Sequence, residues 1–258
     1  MSVAIDTVRA ERIKLTSVQS PWWCAAVIVA LGLGLAGILG VVANASMSAD
    51  DDTVRFYPTA DAAVSGVTGF GVLVLMILAA LSVTSEYRFG VIRSTFQAMP
   101  NRGVVLAVKA LLIGVLGAIL SGVLALAAFY LTKALAGPEA GRDLVLEGTT
   151  WRTIYGTALF ALVASILAVG VGALLRQSAG TIAILLLWPM LIESLFGLFG
   201  SFGRTAQPFL PFANINYFLG TGQGIDFHWG PWGAFLYFVV VALVVFGAAV
   251  VVVNRRDA

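Results

Sequence analysis

Long apolar stretches alternate along this chain with short polar ones. Six of the apolar stretches are 20 to 22 residues long, and a helix needs about 20 such residues to cross about 30 Å of hydrocarbon. None of them shows the strict alternation of apolar and polar residues that marks a membrane β-strand. The pattern predicts an all-α membrane protein with six transmembrane helices, at residues 22–43, 64–83, 110–131, 154–175, 179–199 and 232–253.

Residues 1–20 form a separate element before the first apolar stretch. Apolar side chains (Val8, Ile13, Leu15) are interleaved there with charged ones (Arg9, Glu11, Arg12, Lys14). Pro21 interrupts the run before Trp22 and Trp23, and tryptophan is enriched at membrane interfaces. The mixture predicts an amphipathic helix on the inner leaflet, with its basic residues toward lipid headgroups. A disordered basic tail is the alternative.

Residues 200–231, between the fifth and sixth stretches, are apolar but broken by glycine and proline. The piece QPFLPFANINYFLG is too short to cross a membrane and too apolar for an ordinary loop. Irregular backbone at membrane depth is tolerated only where protein or water covers it. We therefore expect a pair of short outer helices, re-entrant into the outer leaflet.

Composition agrees with a membrane protein. Hydrophobic residues make up 60% of the 258 residues and charged residues 11%, whereas soluble domains carry roughly 25% charged residues. Ten of the fifteen Lys and Arg residues lie on the inner side if the N-terminus is cytoplasmic. Because basic residues are concentrated in cytoplasmic loops, we expect both termini inside, and a multi-pass protein of the cell membrane, in a bacterium the inner membrane.

Several kinds of chemistry are absent from the sequence. It contains no G-x-x-x-x-G-K-[ST] phosphate loop, and its one histidine, His228, has no cysteine or second histidine nearby. Cys24 is the only cysteine, which excludes an internal disulfide. We expect no enzyme activity of this chain by itself, no metal or cofactor bound by it, and no nucleic-acid partner.

One carboxylate falls inside an apolar stretch. Glu193 lies four residues after Pro189 in LLLWPMLIESLFGLFG, and an ionisable side chain in hydrocarbon marks a pathway or a buried partner. Together with Trp188 and Phe196, these residues are candidates for lining a translocation path. The alternative is a hydrogen-bonded glutamate near the outer interface.

The segment SEYRFGVIRSTFQAMPNRG, residues 85–103, is the most polar one between two spans. Phe89, Ile92, Phe96 and Met99 recur at helical spacing, and Pro100 ends the pattern. The spacing predicts a cytoplasmic amphipathic helix over residues 85–102. It leaves open whether the apolar face rests on lipid or on a partner protein.

The order of these features resembles the permease subunit of type-2 ABC transporters. The resemblance rests on an ordered set between spans two and three: Glu86-Tyr87-Arg88-Phe89-Gly90, Arg93, Phe96, Pro100-Asn101-Arg102 and Lys109, preceded by Glu11-Arg12-Ile13-Lys14-Leu15 at the start. One departure is Val91, where the family often has threonine. In architecture the resemblance covers essentially the whole chain.

The resemblance implies an ATP-driven exporter in which residues 85–102 are the coupling helix, seated in a groove of a separate ATPase. The implied ATPase contacts are Glu86, Tyr87, Arg88, Phe89, Gly90, Arg93, Phe96, Pro100 and Arg102, with Arg176 and Gln177 as a second contact. Two ATPase copies would hold ATP and Mg²⁺, and a second permease chain, identical or homologous, would complete the path within the lipid.

The substrate is expected to be hydrophobic or amphipathic, such as a drug, lipid or peptide, because the apolar stretches are rich in aromatic residues. Two other functions stay open. One is an ATP-independent secondary transporter or channel, and the other is a membrane protein that binds a partner without transporting anything.

Overall fold

A computed structural model describes residues 2–48, 55–99, 101–222 and 225–256. Its described elements are helices joined by short connections. In chain order they are α1 Ser2–Ser17, α2 Gln19–Met47, α3 Ala60–Ser65, α4 Val72–Arg88, α5 Val91–Ala98, α6 Arg102–Ala140, α7 Thr149–Leu175, α8 Ser178–Leu187, α9 Glu193–Phe196, α10 Gly200–Ala206, α11 Pro211–Leu219 and α12 Pro231–Arg256.

Six helical runs within the described residues are long and apolar enough to span a membrane, which confirms the predicted number of spans. They are Gln19–Met47, Ala60–Arg88, Arg102–Ala140, Thr149–Leu175, Ser178–Phe196 and Pro231–Arg255. Most are longer than the apolar stretches predicted from the sequence, because the helices continue into the polar flanks. The chain is therefore an all-helical, multi-pass membrane protein.

The fourth span, α7, forms the centre of the bundle and packs against α4, α6 and α12. Close approach to α12 depends on Gly170, where a Cβ atom would lie only 3.0 Å from the backbone of Phe246. Small residues at such crossings let helix backbones meet directly, which is how membrane helices associate without a hydrophobic driving force. The first, fifth and sixth spans are peripheral, with at most 22% of their central residues buried.

Two spans change their helical pitch. Residues Gly66–Gly71 form a π-helical segment between α3 and α4, and Trp188–Ile192 form another between α8 and α9. The second contains Pro189, which cannot donate a backbone hydrogen bond. Segments of this kind occur frequently at functional sites.

The two ends of the bundle differ, and each is named after a short helix. At the α5 end, α1 meets α4 and α6, and Arg102 donates a 3.0 Å hydrogen bond to the carbonyl of Val253 near the end of α12. At the α11 end, Arg152 and Thr153 of α7 donate to the carbonyls of Phe218 and Leu219. Which end faces the cytoplasm stays a prediction.

The N-terminal helix packs only one of its three named apolar side chains, Leu15, against the core. Thr7 and Glu11 are buried, whereas Val8 and Ile13 are exposed. The reason is electrostatic, because Glu11 reaches a buried lysine described below. The helix ends at Ser17, before the predicted boundary at residue 20.

Residues 85–102 do not form the single helix that the spacing predicted. The last turn of α4 continues to Arg88, and α5 begins only at Val91. Between them Gly90 adopts φ of +71°, a left-handed conformation that glycine reaches without steric cost. The chain turns there, so the amphipathic helix is the eight-residue α5.

Candidate functional site

The turn between α4 and α5 is the most exposed aromatic point of the α5 end. Phe89 directly follows α4 and keeps 73% of its surface exposed. The guanidinium of Arg88 lies 5.6 Å from the centre of the Phe89 ring. Arg88, Gly90 and Val91 are also exposed, and residues 88–91 are called the corner below.

Helix α5 is attached to the bundle by the apolar stripe that the sequence predicted. Ile92 and Phe96 are buried in the main core, whereas Arg93, Ser94 and Gln97 are exposed. An amphipathic helix that rested on lipid would turn its apolar stripe outward. Here Ile92 and Phe96 pack inward, and the exposed surface of α5 is mostly polar, with Val91 also exposed.

Residues after α5 hold its far end. The guanidinium of Arg102 lies 5.2 Å from the centre of the Phe96 ring. Asn101 caps α6, because its side-chain oxygen accepts a 3.3 Å hydrogen bond from the Val104 N–H. Pro100, a predicted contact residue, lies outside the described residues.

A group of four charged side chains, three of them buried, stands directly behind the corner. Lys109 of α6 is 1% exposed and donates to Glu11 Oε2 and Glu86 Oε1 at 2.7 Å each. A third, longer contact of 3.3 Å runs to the carbonyl of Ser82. An ammonium group has three donors, so every one of them is used.

Lys14 of α1 closes this group, which is called the charge cluster. Its Nζ lies 2.7 Å from Glu86 Oε1 and 2.9 Å from Glu11 Oε1. Partial burial by itself would lower the pKa of Lys14, but the hydrogen bonds to Glu86 and Glu11 outweigh it and raise the pKa. Two lysines and two glutamates thus bring α1, α4 and α6 together at one point.

The charge cluster leaves one polar atom unmatched. Glu86 Oε2 is buried and accepts no hydrogen bond within the described part of the chain. Taking charges out of water is costly, and a buried ion pair repays that cost only if its geometry is good. The cluster therefore fixes the relative positions of three helices more clearly than it adds to overall stability.

Sequence reasoning named Glu86 as a partner contact and did not connect it with Glu11, Lys14 or Lys109. Glu86 is buried beneath the corner rather than exposed on it. One signal was available, because Lys109 immediately precedes the apolar stretch at 110–131 and Glu86 soon follows the one at 64–83. Opposite charges at the same predicted membrane boundary favour pairing.

The second predicted contact region also lies at the α5 end. The guanidinium of Arg176, between α7 and α8, lies 4.9 Å from the centre of the Tyr87 ring. Ser178 donates a 2.9 Å hydrogen bond to the Thr84 hydroxyl one turn earlier on α4. Gln177 is exposed. The structure thus brings Arg176 to Tyr87, whereas contact of either residue with an ATPase stays a prediction.

At the α11 end, Glu193 of the fifth span is hydrogen-bonded to the start of α11. Its Oε1 accepts hydrogen bonds from the Trp188 indole N–H at 3.0 Å and the Phe212 N–H at 2.9 Å. Its Oε2 accepts from the Ala213 N–H at 2.6 Å. The first N–H groups of a helix have no partner within the helix, so the carboxylate caps α11 from another span.

The residues predicted to line a path are only partly brought together. Pro189 and Glu193 line a cavity of about 250 Å³ with polar side chains that include Gln207, Asn216 and Thr221. Phe196 instead packs against Phe199 and Phe202. A role of any of them in translocation stays a prediction.

Two further results concern metal binding and similarity to known proteins. Within the part of the chain that the structure describes, no three His, Cys, Asp or Glu side chains form a group that could hold a metal ion. Comparison with protein-family models, curated proteins and solved structures finds no match for this chain.

Proposed function

We propose that the chain is the membrane-spanning permease subunit of an ATP-driven exporter, and that its corner docks on a separate ATPase. The observation that carries this proposal is the exposed Phe89, which lies three residues after Glu86 of the charge cluster. Docking sites are typically centred on aromatic and arginine side chains, and Phe89 is flanked here by Arg88, with Arg93 on the neighbouring helix α5.

The inward packing of α5 favours a protein partner over a lipid surface. Since Ile92 and Phe96 lie in the core, the outer face of α5 offers hydrogen-bond donors and charge, as a protein groove requires. The α7–α8 connection, with its exposed Gln177, lies at the same end and would provide a second contact.

A coupling element must transmit movement of the partner to the transmembrane helices. A partner that pushed the corner would move α4 directly, and it would move α1 and α6 through the charge cluster. Movement at the ATPase would thus reach three helices at once. The transported compound would be hydrophobic or amphipathic, and the path would be completed by a second permease chain.

Co-purification with a candidate ATPase encoded beside this chain tests the proposal. We expect Phe89→Ala to weaken the complex about tenfold or more, as loss of a central aromatic anchor does. Ile13→Ala is the matched control, because Ile13 is 63% exposed on α1 but lies outside the corner. Equal affinity of both variants and the wild type would contradict docking at the corner.

One observation favours a second candidate, an ATP-independent transporter. The two π-helical segments interrupt spans two and five, which are corresponding positions if the six spans form two halves of three. Secondary transporters often place their sites at such paired interruptions. Uptake into proteoliposomes driven by an ion gradient, without ATPase or ATP, would support this candidate and contradict the exporter.

A further inference from the structure

A groove runs along the membrane-facing side of the bundle beneath α1. It has a volume of about 430 Å³, within the range of about 300–1,000 Å³ that is usual for ligand sites, and lies between α2, α4 and α6. Its lining is almost entirely apolar below Arg12 and Thr16. The groove is thus polar at one end and apolar along the rest.

The polar end carries an uncompensated positive charge. Arg12 is exposed and makes no ion pair within the described residues, and the same holds for Arg9 one turn earlier. The nearest acid, Glu11, points into the charge cluster, where Lys109 and Lys14 neutralise it. Asp6, the other acid of α1, is exposed and forms no ion pair with either arginine.

The apolar part of the groove runs along α6. Leu112, Leu116 and Leu120 of α6 line it in sequence, and at 1.5 Å per residue they cover about 12 Å along the helix. Trp22 lines the same groove as Arg12 and is 65% exposed. Tryptophan prefers the headgroup level of a bilayer, so the arginine lies where a lipid phosphate would be.

We propose that this groove is a binding site for an anionic phospholipid of the surrounding bilayer, with the phosphate at Arg12 and one acyl chain along α6. Basic pockets between membrane helices bind anionic headgroups, whereas an apolar groove alone would not distinguish among lipids. The site needs neither the ATPase nor transport, so it goes beyond the proposed function and does not depend on it.

Spin-labelled lipids in nanodiscs test the site with the full chain. The measured quantity is the fraction of labelled phosphatidylglycerol or phosphatidylcholine whose motion the protein restricts. We expect phosphatidylglycerol to associate about fivefold more strongly, the preference that one basic residue near the surface provides. Equal restriction of the two lipids would overturn the proposal.

Two matched pairs of variants locate the effect. Arg12→Gln should abolish the preference for phosphatidylglycerol. Arg93→Gln removes a charge that is also exposed at the α5 end but lies outside the groove, and this variant should retain the preference. Leu116→Trp should fill the groove and release the restricted lipid, whereas Ile119→Trp, on the same helix but not in the lining, should not. Equal losses within either pair would overturn the assignment to the groove.

An amphiphilic transport substrate is the other occupant that the experiment can reveal. Restriction of phosphatidylglycerol that falls when a candidate ATPase and ATP are added, with labelled lipid appearing in the opposite leaflet, would overturn a resident lipid in favour of a transported one. Restriction that is unchanged by ATP supports the bilayer lipid.

Discussion

Two buried carboxylates, one at each end of the bundle, are held by opposite means. Glu86 at the α5 end is bound by the ammonium groups of Lys109 and Lys14. Glu193 at the α11 end is bound by neutral donors, two backbone N–H groups and the Trp188 indole. The first arrangement depends on opposite charges from three helices, and the second depends on the position of one helix end.

The difference has a mechanical meaning. The charges of the cluster come from three helices, so a displacement of α1, α4 or α6 breaks ion pairs with the other two. A cap works only where the backbone of α11 presents its N–H groups to the carboxylate. We therefore expect α1, α4 and α6 to move together at the α5 end. At the α11 end we expect α11 to separate from the fifth span when the hydrogen bonds of Glu193 are lost.

Removal of Lys109 has the largest expected effect. Lys109→Met leaves Glu11 and Glu86 buried with only the half-exposed Lys14 between them, and breaking a buried pair from one side costs about 3–5 kcal/mol. The free energy of unfolding, measured by denaturant titration in mixed micelles, should fall by that amount.

A double variant that removes one charge of each sign provides the control. Lys109→Met combined with Glu86→Gln should cost less than the sum of the two single losses, since it removes two opposite charges that contact each other and leaves Glu11 paired with Lys14. A double variant as unstable as the sum of the single ones would show that no coupling exists between the two residues.

Glu193→Ala should open the other end. Each buried donor left without a partner costs about 1–3 kcal/mol, and α10 and α11 would separate from the fifth span. Trypsin should then cleave after the exposed Arg204 of α10 roughly tenfold faster or more. Ser194→Ala is the control, because the Ser194 hydroxyl bonds only to carbonyls of its own span. An unchanged cleavage rate in Glu193→Ala would contradict the role of Glu193 in holding α11 against the fifth span.

The corner should tolerate substitution less well than an ordinary exposed helix position. Gly90→Ala is expected to cost about 1–2 kcal/mol, because φ of +71° strains any residue with a Cβ. Gly247→Ala is the matched control, with equally open space around it but helical backbone. The unfolding free energy of Gly247→Ala should equal or exceed that of the wild type. A similar loss of unfolding free energy in both variants would count against backbone strain at Gly90.

Lys14 should have the smallest effect, since exposed ion pairs contribute at most about 1 kcal/mol. Its raised pKa means that the contribution is fully present below the ordinary lysine value of 10.5 and is lost as pH rises through the higher value in the folded state. The stability difference between wild type and Lys14→Met should thus stay constant from pH 7 to 9 and shrink only above 10.5. A difference that shrinks near neutral pH would contradict the pairing.

The sequence predicted the six spans, because length and apolarity alone decide whether a helix can cross hydrocarbon. It did not reveal the break at Gly90. Apolar spacing continues from Phe89 to Ile92 as if the helix were unbroken, and only the backbone shows the left-handed turn. That turn separates the exposed Phe89 from the buried Ile92 and Phe96.

The complete charge cluster could not be predicted from the sequence either, although Lys109 and Glu86 lie at the same predicted membrane boundary. Glu11 and Lys109 are 98 residues apart, and nothing in local spacing links them. Glu193 was recognised as unusual because one carboxylate within an apolar run stands out, but its partners, the N–H groups of Phe212 and Ala213, are backbone atoms that no side-chain pattern reveals.

The central claim, that the corner docks on an ATPase, is tested most directly by a photo-activated cross-linking amino acid placed at position 89. Purified with its candidate ATPase in nanodiscs, this protein should form a cross-linked product that contains the ATPase, and the same amino acid at position 13 should not. Cross-links only to lipid from position 89, or equal products from both positions, would contradict the claim.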